Sequence, residues 1–273
     1  MQQRHFDRHQ YFKELAKTSE KYFMPYIMQC HDICKDTVIL EIGCGEGGNL
    51  LPFAKLGCNV LGVDISKNRI NEAKQFFAQE NVYGTFICDN IFSITGYDNK
   101  FDIIICHDVI EHIADKYALL EKAYSFLKDN GILFIAFPAW QMPFGGHQQI
   151  CRSTLLSKAP FIHLLPGAVY KHILTYAGES EEMINELMSI RNTGITIEAF
   201  EEIVSMTKWD IADRTLYLIN PHYETKYGLT PRNIPDCISN IPYLRDYAST
   251  SCFYLLKPVG KLIPSQLIFP YLY

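Results

Sequence analysis

Asp108, Glu111 and His112 put two carboxylates and an imidazole within five residues, and a fourth polar group, His147, stands in Pro143-Phe144-Gly145-Gly146-His147-Gln148. An imidazole titrates near neutral pH, so His112 and His147 are the natural candidates for taking a proton from a reacting hydroxyl or amine. Asp108 can orient such a base. His163, in Phe161-Ile162-His163-Leu164-Leu165, sits in apolar company and reads as a packing residue. A second group binds where the first reacts. Glu41-Ile42-Gly43-Cys44-Gly45-Glu46-Gly47-Gly48 supplies glycines that let the backbone turn sharply and lie bare against a bulky ligand. Asp64, some twenty residues on, suits the hydroxyls of a ribose, and this pair of features fits more than one nucleotide cofactor.

These residues need elements that hold them. Val38–Ile42 is a short apolar run ending in the glycines, as expected of a buried parallel strand. Gly48–Leu56 reads as helix, Asn59–Val63 as strand, Asn68–Glu80 as a helix opened by Ser66, and Thr85–Cys88 and Asp102–Cys106 as strands. Lys116–Lys128 follows as an amphipathic helix stopped by Asp129-Asn130-Gly131, then Ile132–Phe137 as a fifth strand. This alternation implies a doubly wound α/β sheet with right-handed crossovers. Ahead of it, Tyr11–Cys34 predicts two short helices divided by Pro25. After it, residues 139–194 read as a helical insertion, Thr196–Met206 as a helix, and Arg214–Ile219 and Ser251–Leu256 as the last two strands around a Pro- and Tyr-rich excursion, 221–245.

Three further features separate the cofactors. Glu41 precedes the first glycine by two residues, where dinucleotide sites usually carry an apolar side chain; an acid there can take the amino group of a methionine moiety. Asp89 follows the third strand in Phe86-Ile87-Cys88-Asp89-Asn90-Ile91, placed to meet an adenine amino group, and Asp102–Cys106 runs directly into the polar turn His107-Asp108-Val109-Ile110-Glu111-His112. With these in order, the stretch from about Thr37 to Pro138 resembles a class I S-adenosylmethionine-dependent methyltransferase, with weaker agreement to Pro258. The resemblance implies a three-layer Rossmann-like sandwich whose seven-stranded, mostly parallel sheet ends in an antiparallel strand, with a helical lid insertion and an N-terminal helical cap. It implies one domain over 1–273: cap 1–35, cofactor-binding half 36–138, lid 139–195 and C-terminal half 196–273. It carries the cofactor contacts onto Glu41, Gly43, Cys44, Gly45, Gly47, Asp64, Ile65, Asp89, Asn90, Ile91, Cys106 and His107, and catalysis onto His147, His112 and Asp108. The reaction implied is methyl transfer to oxygen or nitrogen of a small-molecule acceptor. A nicotinamide-dependent oxidoreductase and a non-catalytic S-adenosylmethionine-binding subunit are the competing readings.

Asp108-x-x-Glu111-His112 also resembles the Glu-x-x-Glu-His metal set of ubiquinone-pathway and small-RNA methyltransferases. Asp at the first position shortens its reach, so the expectation is no metal. Cys30 and Cys34 lack the second pair that a zinc site needs. Over 273 residues the chain carries 25 basic and 30 acidic side chains, a net charge of −5, which argues against a nucleic-acid partner. Nine cysteines without framework spacing suit a reducing, cytoplasmic setting. Met1 to Gln10 is too charged for a secretory signal, and no stretch reaches the roughly 18 to 20 apolar residues of a membrane span. The aromatic residues Phe137, Trp140, Phe144, Tyr170, Tyr176, Tyr217, Tyr223 and Tyr227 are the candidate wall of the acceptor site, with Lys226, Arg152, Lys171, Arg191 and Arg232 as candidate cations. Tyr11 and Phe12 are placed to close over the cofactor. The apolar tail 261–273 is expected to pack on the domain or on a second copy, which leaves a homodimer open.

Overall fold

A computed structural model describes residues 7–260 of the chain. Its centre is one eight-stranded sheet in the order β3-β2-β1-β4-β5-β8-β6-β7. The strands are β1 (Val38–Ile42), β2 (Asn59–Asp64), β3 (Thr85–Cys88), β4 (Phe101–His107), β5 (Leu127–Phe137), β6 (Trp209–Ile219), β7 (Arg232–Asn233) and β8 (Ser251–Pro258). The pairs among β1 to β5 are parallel, and β8 runs antiparallel to both β5 and β6. The eighth strand is the two-residue β7, which pairs antiparallel with the edge of β6. It lies within the excursion and carries too little pattern to be read as a strand beforehand.

The helices are α1 (Arg8–Thr18), α2 (Met24–Ile27), α3 (Leu51–Lys55), α4 (Lys67–Gln79), α5 (Lys116–Phe126), α6 (Gly167–Tyr176), α7 (Glu181–Thr193), α8 (Ile197–Ser205), α9 (His222–Tyr227), α10 (Asp236–Ser239) and α11 (Leu244–Ala248). Side-chain caps start several of them: Ser66 Oγ accepts from Arg69 N, Asp115 from Ala118 N, Ser180 from Met183 N and Thr196 from Ala199 N. Two buried layers sandwich the sheet. One face packs Leu40, Ile104, Leu133, Tyr254 and Phe200. The other packs Ile39, Ile103, Phe134, Phe253 and the aromatic side of the cap, Phe12, Phe23 and Tyr26. Burial of this many large apolar side chains, each worth about 1.5–3 kcal/mol, is what holds the strand ends in register.

Three expectations are corrected. Pro25 does not divide the cap: α1 runs through a π-helical turn, Ser19–Phe23, straight into α2. Proline stands within the first turn of α2, where a missing N–H is tolerated most easily. Helix α5 stops at Phe126, and Leu127 already pairs with Phe101. Residues 128–131 bulge out before Ile132 resumes the ladder opposite Ile103, and a Cβ on Gly131 would meet Asp102 O at 2.8 Å. Gly131 is thus required by a close backbone approach and not by a helix cap. Finally, β6 begins five residues earlier than Arg214. Tail residues 261–273 lie outside the described residues.

The insertion has a small core of its own, Cys151, Leu156, Tyr170, Leu174, Ile184 and Leu187. Its two ends are tied to each other. Trp140 N donates to Ile195 O at 2.9 Å, and a Cβ on Gly194 would fall 2.2 Å from the Trp140 ring.

Candidate functional site

The parallel strands deliver their carboxyl ends to one edge, the place where open α/β sheets bind ligands. After β1 the chain turns through Gly43, Gly45 and Gly47, all with positive φ (71°, 51° and 80°). A Cβ on Gly43 would come within 2.3 Å of Val109 Cγ2, so this turn admits no side chain. Asp64, at the end of β2, ties the turn down: Oδ2 accepts from Gly45 N at 2.9 Å and Oδ1 from Ser66 N at 2.8 Å. Ser66, and not Asp64, is the helix cap.

A cavity of about 610 Å³ opens beside this turn. Gly43, Asp64, Ile65, Asp89, Asn90 and Ile91 line it, as the sequence reading expected, together with Asp108 and His112. The other six expected contacts do not line it. Glu41 is 1% exposed and accepts a 2.7 Å hydrogen bond from Asn49 Nδ2, behind the glycine turn. Burial pushes its carboxyl up to about 8, and its second oxygen has no hydrogen-bond partner among the described residues. Cys44 and Cys106 are buried in the two core layers. His107 packs on Phe23 with ring centroids 4.8 Å apart. Gly45 and Gly47 shape the turn from behind.

A second cavity of about 350 Å³ adjoins the first, and both include Arg69, Asp108 and His112 in their walls. Its remaining walls come from far apart in the chain: Tyr11 on α1, Met142, Phe144 and His147 on the insertion, and His222, Tyr223, Lys226 and Tyr227 on α9. Of the eight aromatics expected at the acceptor wall, Phe144, Tyr223 and Tyr227 line this second cavity. Phe137 and Tyr170 are fully buried core residues, and Tyr176 is 90% exposed away from the cavity. Lys226 is the one expected cation that lines it, and Phe12 belongs to the core beneath. Arg69 and His222 escaped the sequence reading because Arg69 sits on an ordinary helical stretch and His222 inside the Pro- and Tyr-rich excursion, neither with a motif around it. Their positions arise only when α4 and α9 converge over the strand ends.

The polar centre lies between the cavities. Asp108 takes a left-handed φ of 52° and His147 one of 56°, conformations that Asp, Asn and His tolerate better than most side chains. The His112 and His147 rings meet edge to face at 5.2 Å. Burial holds both imidazoles below their usual range, His147 at about 4; the His112 ring further disfavours charge on His147, Arg69 and Lys116 disfavour it on His112, and Asp108 acts in the opposite sense on both. Both are therefore neutral, proton-accepting groups at neutral pH. Glu111 is 3% exposed; burial first and Asp108 second raise its carboxyl well above the usual range. Neither of its oxygens has a hydrogen-bond partner among the described residues. One ligand atom each from Glu111, His112 and His147 lies within 4.8 Å of the others, so this trio, and not the Asp108-led set, is where a cation would find donors. His163 is a packing histidine as expected, its Nε2 2.8 Å from Trp140 O.

All nine cysteines are free thiols, of which Cys34, Cys88 and Cys237 are exposed. Among the described residues no helix is long and apolar enough to cross a membrane.

Comparison with known proteins agrees with this geometry. The family described as "Methyltransferase domain" matches residues 33–192. The chain is 34% identical over 119 residues to a ubiquinone biosynthesis O-methyltransferase of Bartonella tribocorum, covering 42% of this chain and 48% of that protein. A protein of the same name from Coxiella burnetii is 33% identical over 98 residues, 36% of this chain and 42% of its own length. The chain thus matches about half the length or less of these curated relatives. Among solved structures, a putative sarcosine dimethylglycine methyltransferase from Galdieria sulphuraria superposes with a TM-score of 0.59 at 13% identity, covering 88% of this chain and 85% of that one. A plantazolicin methyltransferase superposes with 0.55 at 16% identity, covering 91% and 85%. Strand order, glycine turn and family match converge: the chain belongs to the class I, Rossmann-like S-adenosylmethionine-dependent methyltransferases.

Proposed function

We propose that this protein methylates a small-molecule acceptor at oxygen or nitrogen, with S-adenosylmethionine in the larger cavity and the acceptor in the smaller. The observation that carries the reading is the shared wall: Arg69, Asp108 and His112 border both spaces, so donor and acceptor meet at His112 and Asp108. The residues present fit the cofactor. The turn at Gly43 leaves bare main chain where a Cβ would clash, Asp64 presents a carboxylate for ribose hydroxyls, and the acids Asp64, Asp89 and Asp108 suit a ligand bearing a sulfonium. The solved plantazolicin methyltransferase was obtained with S-adenosylhomocysteine, which agrees with this assignment.

S-adenosylmethionine supplies an electrophilic methyl group, so the protein's task is alignment, water exclusion and proton removal. Phe144, Tyr223 and Tyr227 form an aromatic wall that orients a flat or moderately apolar acceptor and keeps water out. His147, neutral and facing the cavity, takes the proton of the attacking hydroxyl or amine. His112 packs against it, and Asp108 stabilises the imidazolium as it forms. Of the expected cofactor contacts, Gly43, Asp64, Ile65, Asp89, Asn90 and Ile91 act directly, Glu41, Cys44, Gly45 and Gly47 act by shaping or supporting the turn, and Cys106 and His107 act only through the packing of β4. The free thiols fit a cytoplasmic protein.

Calorimetry with S-adenosylhomocysteine tests the reading. One-to-one binding, with no heat from NAD, is expected; NAD binding in its place would return the oxidoreductase, and binding without turnover of any acceptor the non-catalytic subunit. A second reading rests on the Glu111, His112 and His147 trio, whose partnerless buried carboxylate fits a divalent ion that would orient and polarise an acceptor oxygen. Turnover that survives a chelator supports the histidine-base reading; loss restored by Mg²⁺ or Mn²⁺ supports the second.

A further inference from the structure

Helix α7 of the insertion brings a carboxylate to the cofactor cavity that no sequence motif marks. Glu186 lines that cavity from the outside, together with Ile65, Phe92 and Ile113. These three side chains are apolar, and two stand open: Ile65 is 78% exposed and Phe92 38%. An apolar slot with uncovered walls suits the flat faces of a purine, whose burial would remove that surface from water. The acids on its rim differ in what they already hold. Asp64 is engaged through both oxygens with the main chain, and Asp89 accepts from Asn90 N through Oδ1 at 2.7 Å. Glu186 has no partner among the described residues.

The helix that carries Glu186 is held in place. Lys116 Nζ donates to Ile113 O at 2.7 Å and to Thr193 O at 2.6 Å, clamping the end of α7 to the turn that bears Glu111 and His112. The contact of Gly194 with the Trp140 ring fixes the chain just beyond. Glu186 is thereby set about two turns of helix from a fixed point, beside Ile113.

We propose that Glu186 accepts a hydrogen bond from the exocyclic amino group of the cofactor's adenine, which makes the insertion the outer wall of the cofactor site; this rests on the cofactor assigned above. The insertion then serves both spaces, with Glu186 toward the donor and Phe144 and His147 toward the acceptor.

The test compares S-adenosylhomocysteine with its analogue lacking the 6-amino group, titrated into wild type, Glu186→Ala and Glu186→Gln. Wild type should prefer the amino compound. Glu186→Ala should lose about five- to tenfold in affinity for it and less than twofold for the analogue. Glu186→Gln, which keeps an acceptor oxygen, should retain most of the preference. Glu186 lies on a helix surface and Ala is a strong helix former, so folding should persist, and circular dichroism checks it. Equal losses for both ligands, or none for either, overturn the contact while leaving the cofactor assignment standing. Failure of wild type to bind either ligand overturns both.

Discussion

The larger cavity is lined by the ends of successive parallel strands and the turns after them, all between Ile42 and Ile113, with Glu186 as the one contributor from beyond that half, whereas the smaller draws on α1, the insertion, α9 and the segment around Thr250. The first is rigid by construction. Its walls are strand ends and the first turns after them, held by parallel ladders and by the Asp64 bridge to Gly45 and Ser66. The second is assembled from excursions that leave the sheet and return. A cofactor used unchanged asks for fixed geometry, and strand ends supply it. An acceptor differs from enzyme to enzyme, and loops and insertions are the parts of a fold that vary cheaply.

The sharpest way to break the contrast is to damage one cavity and read the other. Gly43→Ala should abolish S-adenosylhomocysteine binding, a loss on the order of a thousandfold. The new Cβ would need a left-handed backbone and would strike Val109, and these costs sum to several kcal/mol. Retained affinity by calorimetry would mean the turn is not where the cofactor lies. His147→Ala should do the reverse: cofactor affinity within twofold of wild type and kcat lower by about a hundredfold, the low end for a general base. Wild-type turnover should also fall as pH drops through about 4, where His147 becomes charged, and the variant should lack that limb. A normal rate with the true acceptor would remove His147 from the reaction.

Asp64→Ala sharpens the comparison more gently. It removes two main-chain anchors and the proposed ribose contact, so affinity should drop about tenfold, within the roughly 1–3 kcal/mol of charge-assisted hydrogen bonds. An unchanged dissociation constant would leave the glycine turn standing without Asp64. The smallest effect concerns Glu41, which supports the turn from behind. Its folded carboxyl is raised to about 8 from an ordinary 4.5, so stability present below about pH 4.5 is lost as pH rises through 8. Glu41→Gln keeps the geometry without the charge. Its Tm should match wild type at pH 4 and exceed it by several degrees at pH 9. Parallel pH profiles for the two proteins would mean that Glu41 is already ionised when folded.

Local pattern accounts for most of what was legible beforehand. Strands β1 to β4 read clearly because short apolar runs running into glycine or acid have few other uses, the C-terminal half of β5 because its run stops at Pro138, and the caps at Ser66 and Thr196 announce their helices. The π-helical turn before Pro25, the bulge at 128–131 and the two-residue β7 were not legible, since each depends on what packs beside it.

The amino-acid sequence by itself determined the sheet, the glycine turn, and the placement of Asp64, Asp89, Asp108 and His112 at strand ends, because a parallel strand fixes where its next residues emerge. Tertiary structure alone decided which of those side chains face a cavity. It turned Glu41, Cys106 and His107 inward, and it brought His147 against His112 across a separation of 35 positions. It also carried Arg69, His222 and Glu186 to cavity walls. The physical reason is the same in each case. Periodicity reports how a segment meets the core, but a concave surface is made where separate segments converge, and no single segment encodes that meeting.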